Sequence, residues 1–143
     1  MIKTLLAFDY GTKNIGVACG QTISGTANSL PSLKAKDGIP DWVQVEKIIK
    51  EWQPDLTLIG LPLNMDDSES ELSVRARKFA NRLHGRFAVQ IEMVDERLSS
   101  FEAKGEVMRR GGSRDYKNNP VDSIAARLLL ESWLENHFTA KKL

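Results

Sequence analysis

The chain has few of the residues that build disulfides, zinc sites and membrane spans. Its 143 residues include one cysteine, Cys19, and two histidines, and no apolar run approaches 18 residues. One cysteine cannot form an internal disulfide and fits a reducing compartment. Nothing here supports a zinc site or a membrane partner. Because a secretory signal pattern is also missing, we expect a cytoplasmic protein.

An excess of charge of one sign is missing as well. The 20 Lys and Arg residues nearly balance the 19 Asp and Glu residues, which leaves a formal charge of +1. Binding to nucleic acid would therefore depend on local clusters of cations. The content of 41% hydrophobic and 27% charged residues is typical of a folded globular protein. The length fits one compact unit, and we expect a single domain over residues 1–143.

Apolar runs and segments with helical spacing alternate along the chain. Residues 2–9 are typical of a buried central strand, and two short strands follow after tight turns. After Asp41, helical segments alternate with strands that close near Gly60 and Asp95. Short connections predict antiparallel strands, and connections through helices predict parallel ones. The prediction is an α/β fold: a five-stranded mixed sheet, three antiparallel strands then parallel strands, with helices on both faces.

Two of the predicted helices bear on function. The second should end at Gly85, and the last should begin at Pro120, with Asn119 as its N-cap. One flank of the second helix carries basic residues at spacings of three and four. Such a stripe usually forms the solvated face of a helix, and contact with nucleic acid is the alternative. The stripe consists of Arg75, Lys78, Arg82 and Arg86.

Three acidic residues are candidates for a shared site. Asp9 and Glu96 close apolar runs, and Asp122 lies in the opening turn of the last helix. Ligands gather beyond the carboxyl ends of parallel strands, so we expect the three to converge there. Two carboxylates about 4 Å apart repel by roughly 4 kcal/mol at an effective dielectric near 20, and a divalent cation would offset this repulsion. Taken singly, each acid also has a structural explanation, in a turn, a solvated strand end or a helix dipole.

Four motifs, DYGTKNIGVA, GLPLN, DERLSSFEA and VDSIAA, follow one another along the chain. In this order and spacing they resemble the YqgF family, whose members are described as Holliday-junction-resolvase-like proteins and as nucleases for precursor 16S rRNA. The resemblance covers almost the whole chain. It implies a ribonuclease H-like fold and a hydrolase of phosphodiester bonds. It also implies that Asp9, Glu96 and Asp122 are the catalytic residues and the ligands of Mg²⁺ or Mn²⁺.

The set of acids differs in one respect from that of related junction resolvases. Those proteins usually carry a fourth acid one turn from the last aspartate, where this chain has Asn119 and Ala125. Asp95 or Asp115 could substitute. A pair of metal ions about 3.5–4 Å apart would activate the water and neutralise the charge that develops at the phosphate. Whether one or two ions bind stays open.

Basic residues near these acids are candidates for binding nucleic acid. Lys13 follows Asp9, and Arg97 is adjacent to Glu96. The segment RRGGSRDYKNN precedes the last helix, and such a basic loop could gather phosphates, although a plain surface loop is the alternative. Its cations are Arg109, Arg110, Arg114 and Lys117.

The leading functional hypothesis is an endonuclease that processes the 5′ end of precursor 16S rRNA in ribosome biogenesis. A Holliday-junction resolvase acting on branched DNA is one alternative, and a non-catalytic nucleic-acid-binding or ribosome-assembly factor is another. DYGT also resembles the first phosphate loop of actin-like and sugar-kinase ATPases, but those proteins use two such folds. Ribosomal particles are candidate partners, and both a monomer and a homodimer remain possible.

Overall fold

The computed structural model describes residues 2–62, 66, 68–95 and 121–142, with the side chains of the last helix described from Ser123 to His137. No helix within these ranges is long and apolar enough to cross a membrane. The strands and helices are β1 (Thr4–Asp9), β2 (Asn14–Gln21), β3 (Thr26–Lys36), β4 (Ile39–Pro40), α1 (Trp42–Trp52), β5 (Leu56–Leu61), α2 (Glu71–Phe87), β6 (Ile91–Asp95) and α3 (Val121–Lys142).

The strands form one mixed sheet in the order β4-β3-β2-β1-β5-β6. The pairs from β1 to β4 are antiparallel, and β5 pairs in parallel with both β1 and β6. The predicted mixed sheet is confirmed, with six strands instead of five. The addition is the two-residue strand β4, which follows a turn at Asp37 (φ 50°) and Gly38 (φ 81°). Asp-Gly is a strong signal for such a hairpin turn.

Helices cover both faces of the sheet, as predicted. Leu6 and Phe8 of β1, and Tyr10 directly after it, belong to the apolar cluster under α1 and α2. Leu5 and Ala7 belong to the cluster under α3. This alternation follows from the two-residue period of a strand, and it makes β1 the central strand, buried on both faces.

The ends of the first two helices differ in how well the sequence predicted them. Asp41 caps α1 by accepting a hydrogen bond from the Val43 N–H (3.0 Å). The predicted stop of α2 at Gly85 is wrong, because the helix continues to Phe87 and ends at Ala88, which has φ 56°. A glycine inside a helix costs only about 1 kcal/mol, and Phe87 packs on the core at the end of this extension.

Candidate active site

Asp9 is the last residue of β1 and is almost buried, with 6% of its surface exposed. Its place in the alternation puts it on the face of the sheet that α3 covers, with Leu5 and Ala7. Its partner in the antiparallel pairing with β2 is Gly16. A carboxylate is rarely buried this far unless other groups or a cation use its charge.

The first turn of α3 is attached to the sheet by a buried serine. The Ser123 hydroxyl donates a hydrogen bond to the Leu30 carbonyl (2.8 Å) and accepts one from the Val17 N–H (3.4 Å). The Ser29 hydroxyl donates to the Ser123 carbonyl (3.2 Å). These contacts lie at a β-bulge, where the register shifts between Ile15 and Val17. They fix the amino-terminal end of α3 against β2 and β3.

The direction of α3 across the sheet follows from a second contact, further along the helix than Ser123. Leu130 lies against Gly20, where an added Cβ would be 3.4 Å from the Leu130 Cδ1. Seven helical residues advance about 10.5 Å, and three strand residues advance about 10 Å. The helix therefore runs along β2 and antiparallel to β1. Its first turn, which includes the backbone of Asp122, is bonded through Ser123 to Val17, and Val17 follows Gly16, the sheet partner of Asp9.

The strand that leads to Glu96 reaches the same edge. Its last residue, Asp95, pairs with Leu61 at the end of β5. Glu92 of this strand accepts a hydrogen bond from the Trp133 indole N–H (2.6 Å), so it contacts α3. Glu96 itself lies outside the described residues, as do Arg97, Asp115 and the basic-loop residues Arg109, Arg110, Arg114 and Lys117.

The loop between β1 and β2 carries Lys13. An added Cβ at Gly11 would lie 2.4 Å from the Asn14 carbonyl oxygen, so the tight turn needs a glycine there. The Lys13 carbonyl accepts a hydrogen bond from the Ala35 N–H (2.8 Å), which ties the loop to β3. Lys13 is exposed at the edge of the sheet where β1 ends.

Within the described ranges, no group of three or more His, Cys, Asp or Glu side chains is close enough to hold a metal ion. Of the three predicted ligands, Asp9 has a described side chain, and Asp122 is described by its backbone alone. The convergence of all three side chains therefore stays a prediction.

One feature at this edge was not predicted. On the face opposite Asp9, the Tyr10 hydroxyl donates a hydrogen bond to the Gly38 carbonyl (3.0 Å), and burial raises the pKa of Tyr10. Beside it is a cavity of about 180 Å³. Three members of the basic stripe on α2 line this cavity, so the spacing of those residues was the available signal. The lining is formed by Tyr10, Asp37, Gly38, Ile39, Arg75, Lys78, Phe79 and Arg82.

The fold is similar to that of a junction resolvase. It matches Thermus thermophilus RuvC in complex with a Holliday junction substrate, with a TM-score of 0.60 and 13% identity, over 94% of this chain and 96% of that one. A second T. thermophilus RuvC structure matches with a TM-score of 0.56 and 14% identity, over 95% and 96%. These likenesses establish a ribonuclease H-like fold of the RuvC type.

The amino-acid sequence is also similar to those of a known family. The RuvX family, described as Holliday junction resolvase, matches residues 3–136. Relatives from Marinobacter nauticus (61% identity over 131 residues; 92% of each chain), Pseudomonas putida (61% over 135; 94% and 96%) and Histophilus somni strain 2336 (59% over 136; 95% and 96%) are each named "Putative pre-16S rRNA nuclease". The chain belongs to the RuvX family, which confirms the YqgF resemblance, and it is a nuclease.

Proposed function

We propose that this nuclease is an endonuclease that depends on a divalent metal ion and processes the 5′ end of precursor 16S rRNA. Asp9, Glu96 and Asp122 act as its catalytic residues and metal ligands. The observation that carries the proposal is the nearly buried Asp9 beside the anchored first turn of α3. The name shared by relatives that are about 60% identical over nearly the full chain supports the choice of substrate.

The chemistry of the donors fits Mg²⁺ or Mn²⁺. All three proposed ligands are carboxylates, the hard oxygen donors that these ions prefer. Asp9 is held by a strand that is paired on both sides and buried on both faces, so its position is rigid. A bound metal ion would supply an activated water and stabilise the negative charge of the transition state.

Spacing in the sequence supports the other two ligands. Glu96 follows Asp95 directly and shares the parity of Glu92, which contacts α3. Asp122 precedes Ala126 by one helical turn, and Ala126 packs in the cluster that contains Leu5 and Ala7. The fourth-acid position stays open between Asp95 and Asp115.

The binding of nucleic acid in this proposal rests on cations around that edge of the sheet. Lys13 and Arg97 flank the proposed ligands in sequence. The basic loop gathers phosphates before the last helix, and its cations are Arg109, Arg110, Arg114 and Lys117. We also propose that residues 1–143 act as one domain, in the cytoplasm, on rRNA or ribosomal particles.

The test is cleavage of labelled precursor 16S rRNA and of a four-way DNA junction, with Mg²⁺, with Mn²⁺ and with EDTA. We expect Asp9→Asn and Glu96→Gln to lower single-turnover cleavage at least ~1000-fold, which corresponds to about 4 kcal/mol of transition-state stabilisation. Asp55→Asn makes the same substitution at a residue that precedes β5 and contacts the amino end of β1, and this variant should cleave like the wild type. Wild-type turnover by Asp9→Asn would falsify the assignment of Asp9.

The same assay separates the alternatives. Faster cleavage of the junction than of the RNA would favour a resolvase, which the description of the family supports. A resolvase needs two active centres for its paired cuts, so the molar mass in solution should double with the junction. Binding without cleavage under all metal conditions would favour a non-catalytic assembly factor. We expect no binding or hydrolysis of ATP.

A further inference from the structure

The cavity beside Tyr10 is lined by charged side chains that are not among the proposed catalytic residues. Arg75 forms an ion pair with Asp37 (3.1 Å), and this carboxylate raises the pKa of the guanidinium. Neither Lys78 nor Arg82 forms an ion pair with any residue that the structure describes. Among the lining residues, three cations and one carboxylate give a net charge of +2. Such a concentration of charge attracts an anion.

The cations of the stripe on α2 differ in the residues that they contact. The guanidinium of Arg86, one turn further along the helix, lies 4.3 Å from the ring centroid of Trp42. That residue therefore has an aromatic partner outside the cavity. Lys78 and Arg82 are exposed beside the opening. The stripe thus divides into a stacked arginine and a group that surrounds a concave site.

The floor of the cavity is rigid. Tyr10 packs against Phe79, with ring centroids 5.3 Å apart, and its hydroxyl is held by the Gly38 carbonyl. Gly38 has φ 81°, and an added Cβ there would lie 1.9 Å from the Tyr10 hydroxyl oxygen. The aromatic floor and the close turn keep the opening in one shape, so the cations surround a preformed space.

The size of the cavity limits what can enter it. Pockets for small molecules and cofactors usually measure about 300–1,000 Å³, and this cavity measures about 180 Å³. A whole nucleotide would not be enclosed, whereas a single phosphate group with a few waters would be. Arginine and lysine are the side chains that bind phosphate in such sites.

The cavity lies close to Asp9. Tyr10 follows Asp9 directly, and consecutive Cα atoms are about 3.8 Å apart. Because adjacent side chains of a strand point to opposite faces, Asp9 faces α3 and Tyr10 faces α2. A nucleic-acid strand that crosses this edge of the sheet would pass both groups.

We propose that the Arg75–Lys78–Arg82 cavity binds an internal phosphodiester of the substrate strand, near the bond that the proposed catalytic residues cleave. This inference rests on the proposed function for its substrate. The cavity would hold the substrate at a second point, on the face of the sheet opposite Asp9. Binding at this point holds the strand across the edge and requires neither a metal ion nor catalysis.

The test is binding of a single-stranded precursor rRNA fragment in EDTA, measured by fluorescence anisotropy over a series of salt concentrations. We expect the double variant Lys78→Gln with Arg82→Gln to bind at least ~10-fold more weakly at low salt. The slope of log affinity against log salt should fall by about 1.4, since each contact with a single strand contributes about 0.7. The matched control is Lys47→Gln with Lys50→Gln, which removes two exposed cations from α1, outside the cavity, and should change the slope far less. Equal urea midpoints for both double variants would show that folding is intact.

Two further arms identify the source of the phosphate. Fragments with a 5′-phosphate and with a 5′-hydroxyl should lose the same affinity in the cavity variant, and inorganic phosphate should compete no better than sulfate at equal ionic strength. A loss confined to the 5′-phosphorylated fragment, tight binding of inorganic phosphate alone, or an unchanged salt slope would each overturn the proposal. Since these measurements are made without metal, they stand whether or not the wild type cleaves.

Discussion

Asp9 ends the central strand β1, whereas Asp55, which precedes β5, contacts the opposite end of β1. The two aspartates show how position in a sheet changes the role of one residue type. At the amino end, the Asp55 carboxylate accepts hydrogen bonds from the backbone N–H groups of Thr4 (3.0 Å) and Lys3 (2.9 Å). Both bonds lower the pKa of Asp55. At the carboxyl end, Asp9 lies beside the first turn of α3. The Asp55 carboxylate accepts hydrogen bonds from two backbone N–H groups, and the Asp9 carboxylate lies at the edge of the sheet where ligands bind in such folds.

The contacts at the amino and carboxyl ends of β1 also differ. Around Asp55 the contacts are backbone hydrogen bonds between chain segments, such as the Asp55 N–H to the Thr4 carbonyl (2.8 Å). Around Asp9 the chain uses positions that tolerate little change, including the buried Ser123 and the left-handed Gly38. We therefore expect substitutions at the carboxyl end to change catalysis or binding, and substitutions at the amino end to change stability alone.

Gly38→Ala should have the largest effect on stability. The left-handed backbone costs a non-glycine residue roughly 1–2 kcal/mol, and displacing Tyr10 from the Gly38 carbonyl costs about 1 kcal/mol more. We expect a loss of about 2–3 kcal/mol, measured by urea denaturation, together with weaker binding of RNA. The control is Gly85→Ala, because an added Cβ there meets nothing within 4 Å. That variant should gain roughly 0.5–1 kcal/mol, as expected for a helix interior. A Gly38→Ala protein as stable as the wild type would contradict the rigid floor of the cavity.

Ser123→Ala should have the next largest effect. The substitution leaves the Leu30 carbonyl and the Val17 N–H without their hydroxyl partner, at a cost of about 1–3 kcal/mol. Because the same contacts fix the first turn of α3, we expect single-turnover cleavage to fall as well, at temperatures where the variant is fully folded. The exposed Ser24→Ala is the control and should change neither quantity. Lower stability with unchanged cleavage would separate the Ser123 contact from the active site.

Asp55→Asn should have the smallest effect, and one that depends on pH. The pKa of Asp55 in the folded state lies below its ordinary value of 3.8. The carboxylate therefore stabilises the fold above about pH 4, and this contribution disappears as the pH falls through the folded-state pKa. The urea midpoint of the variant should be lower than that of the wild type at pH 7, and the two should converge as the pH falls below the folded-state pKa of Asp55. Cleavage at pH 7 should be unchanged. A gap that persists at low pH would assign the effect to packing instead of charge.

Much of the fold was predictable because connection lengths decide strand direction. Short turns through Gly11 and Gly25 predicted antiparallel strands. Helical crossovers later in the chain predicted parallel strands, and the two together make a mixed sheet. The stop at Gly85 was wrong because a tertiary contact, Phe87 with Trp42, extends the helix. The β4 strand was missed although the Asp37–Gly38 turn signalled it. Burial of Ala126, Leu130 and Leu134 on α3 was not predicted, because the small residues Ala7 and Ala18 that share their apolar cluster lie on other elements.

The site was predictable only in part. Asp9 closes a buried strand, and that pattern alone identified it as a candidate. The role of Ser123 could not be read from the sequence, because its partners Leu30 and Val17 lie 93 and 106 residues away and depend on a β-bulge. The cavity likewise joins Tyr10, the β3–β4 turn and α2, which are distant along the chain.

The anomalous scattering of crystals grown with Mn²⁺ tests most directly whether Asp9, Glu96 and Asp122 share a metal site. We expect a peak within coordination distance, about 2.0–2.3 Å, of carboxylate oxygens from Asp9, Glu96 and Asp122 together. The peak should be absent from crystals of the Asp9→Asn variant. A Mn²⁺ peak elsewhere, with the oxygens of these three residues too far apart to share an ion, would contradict the shared site.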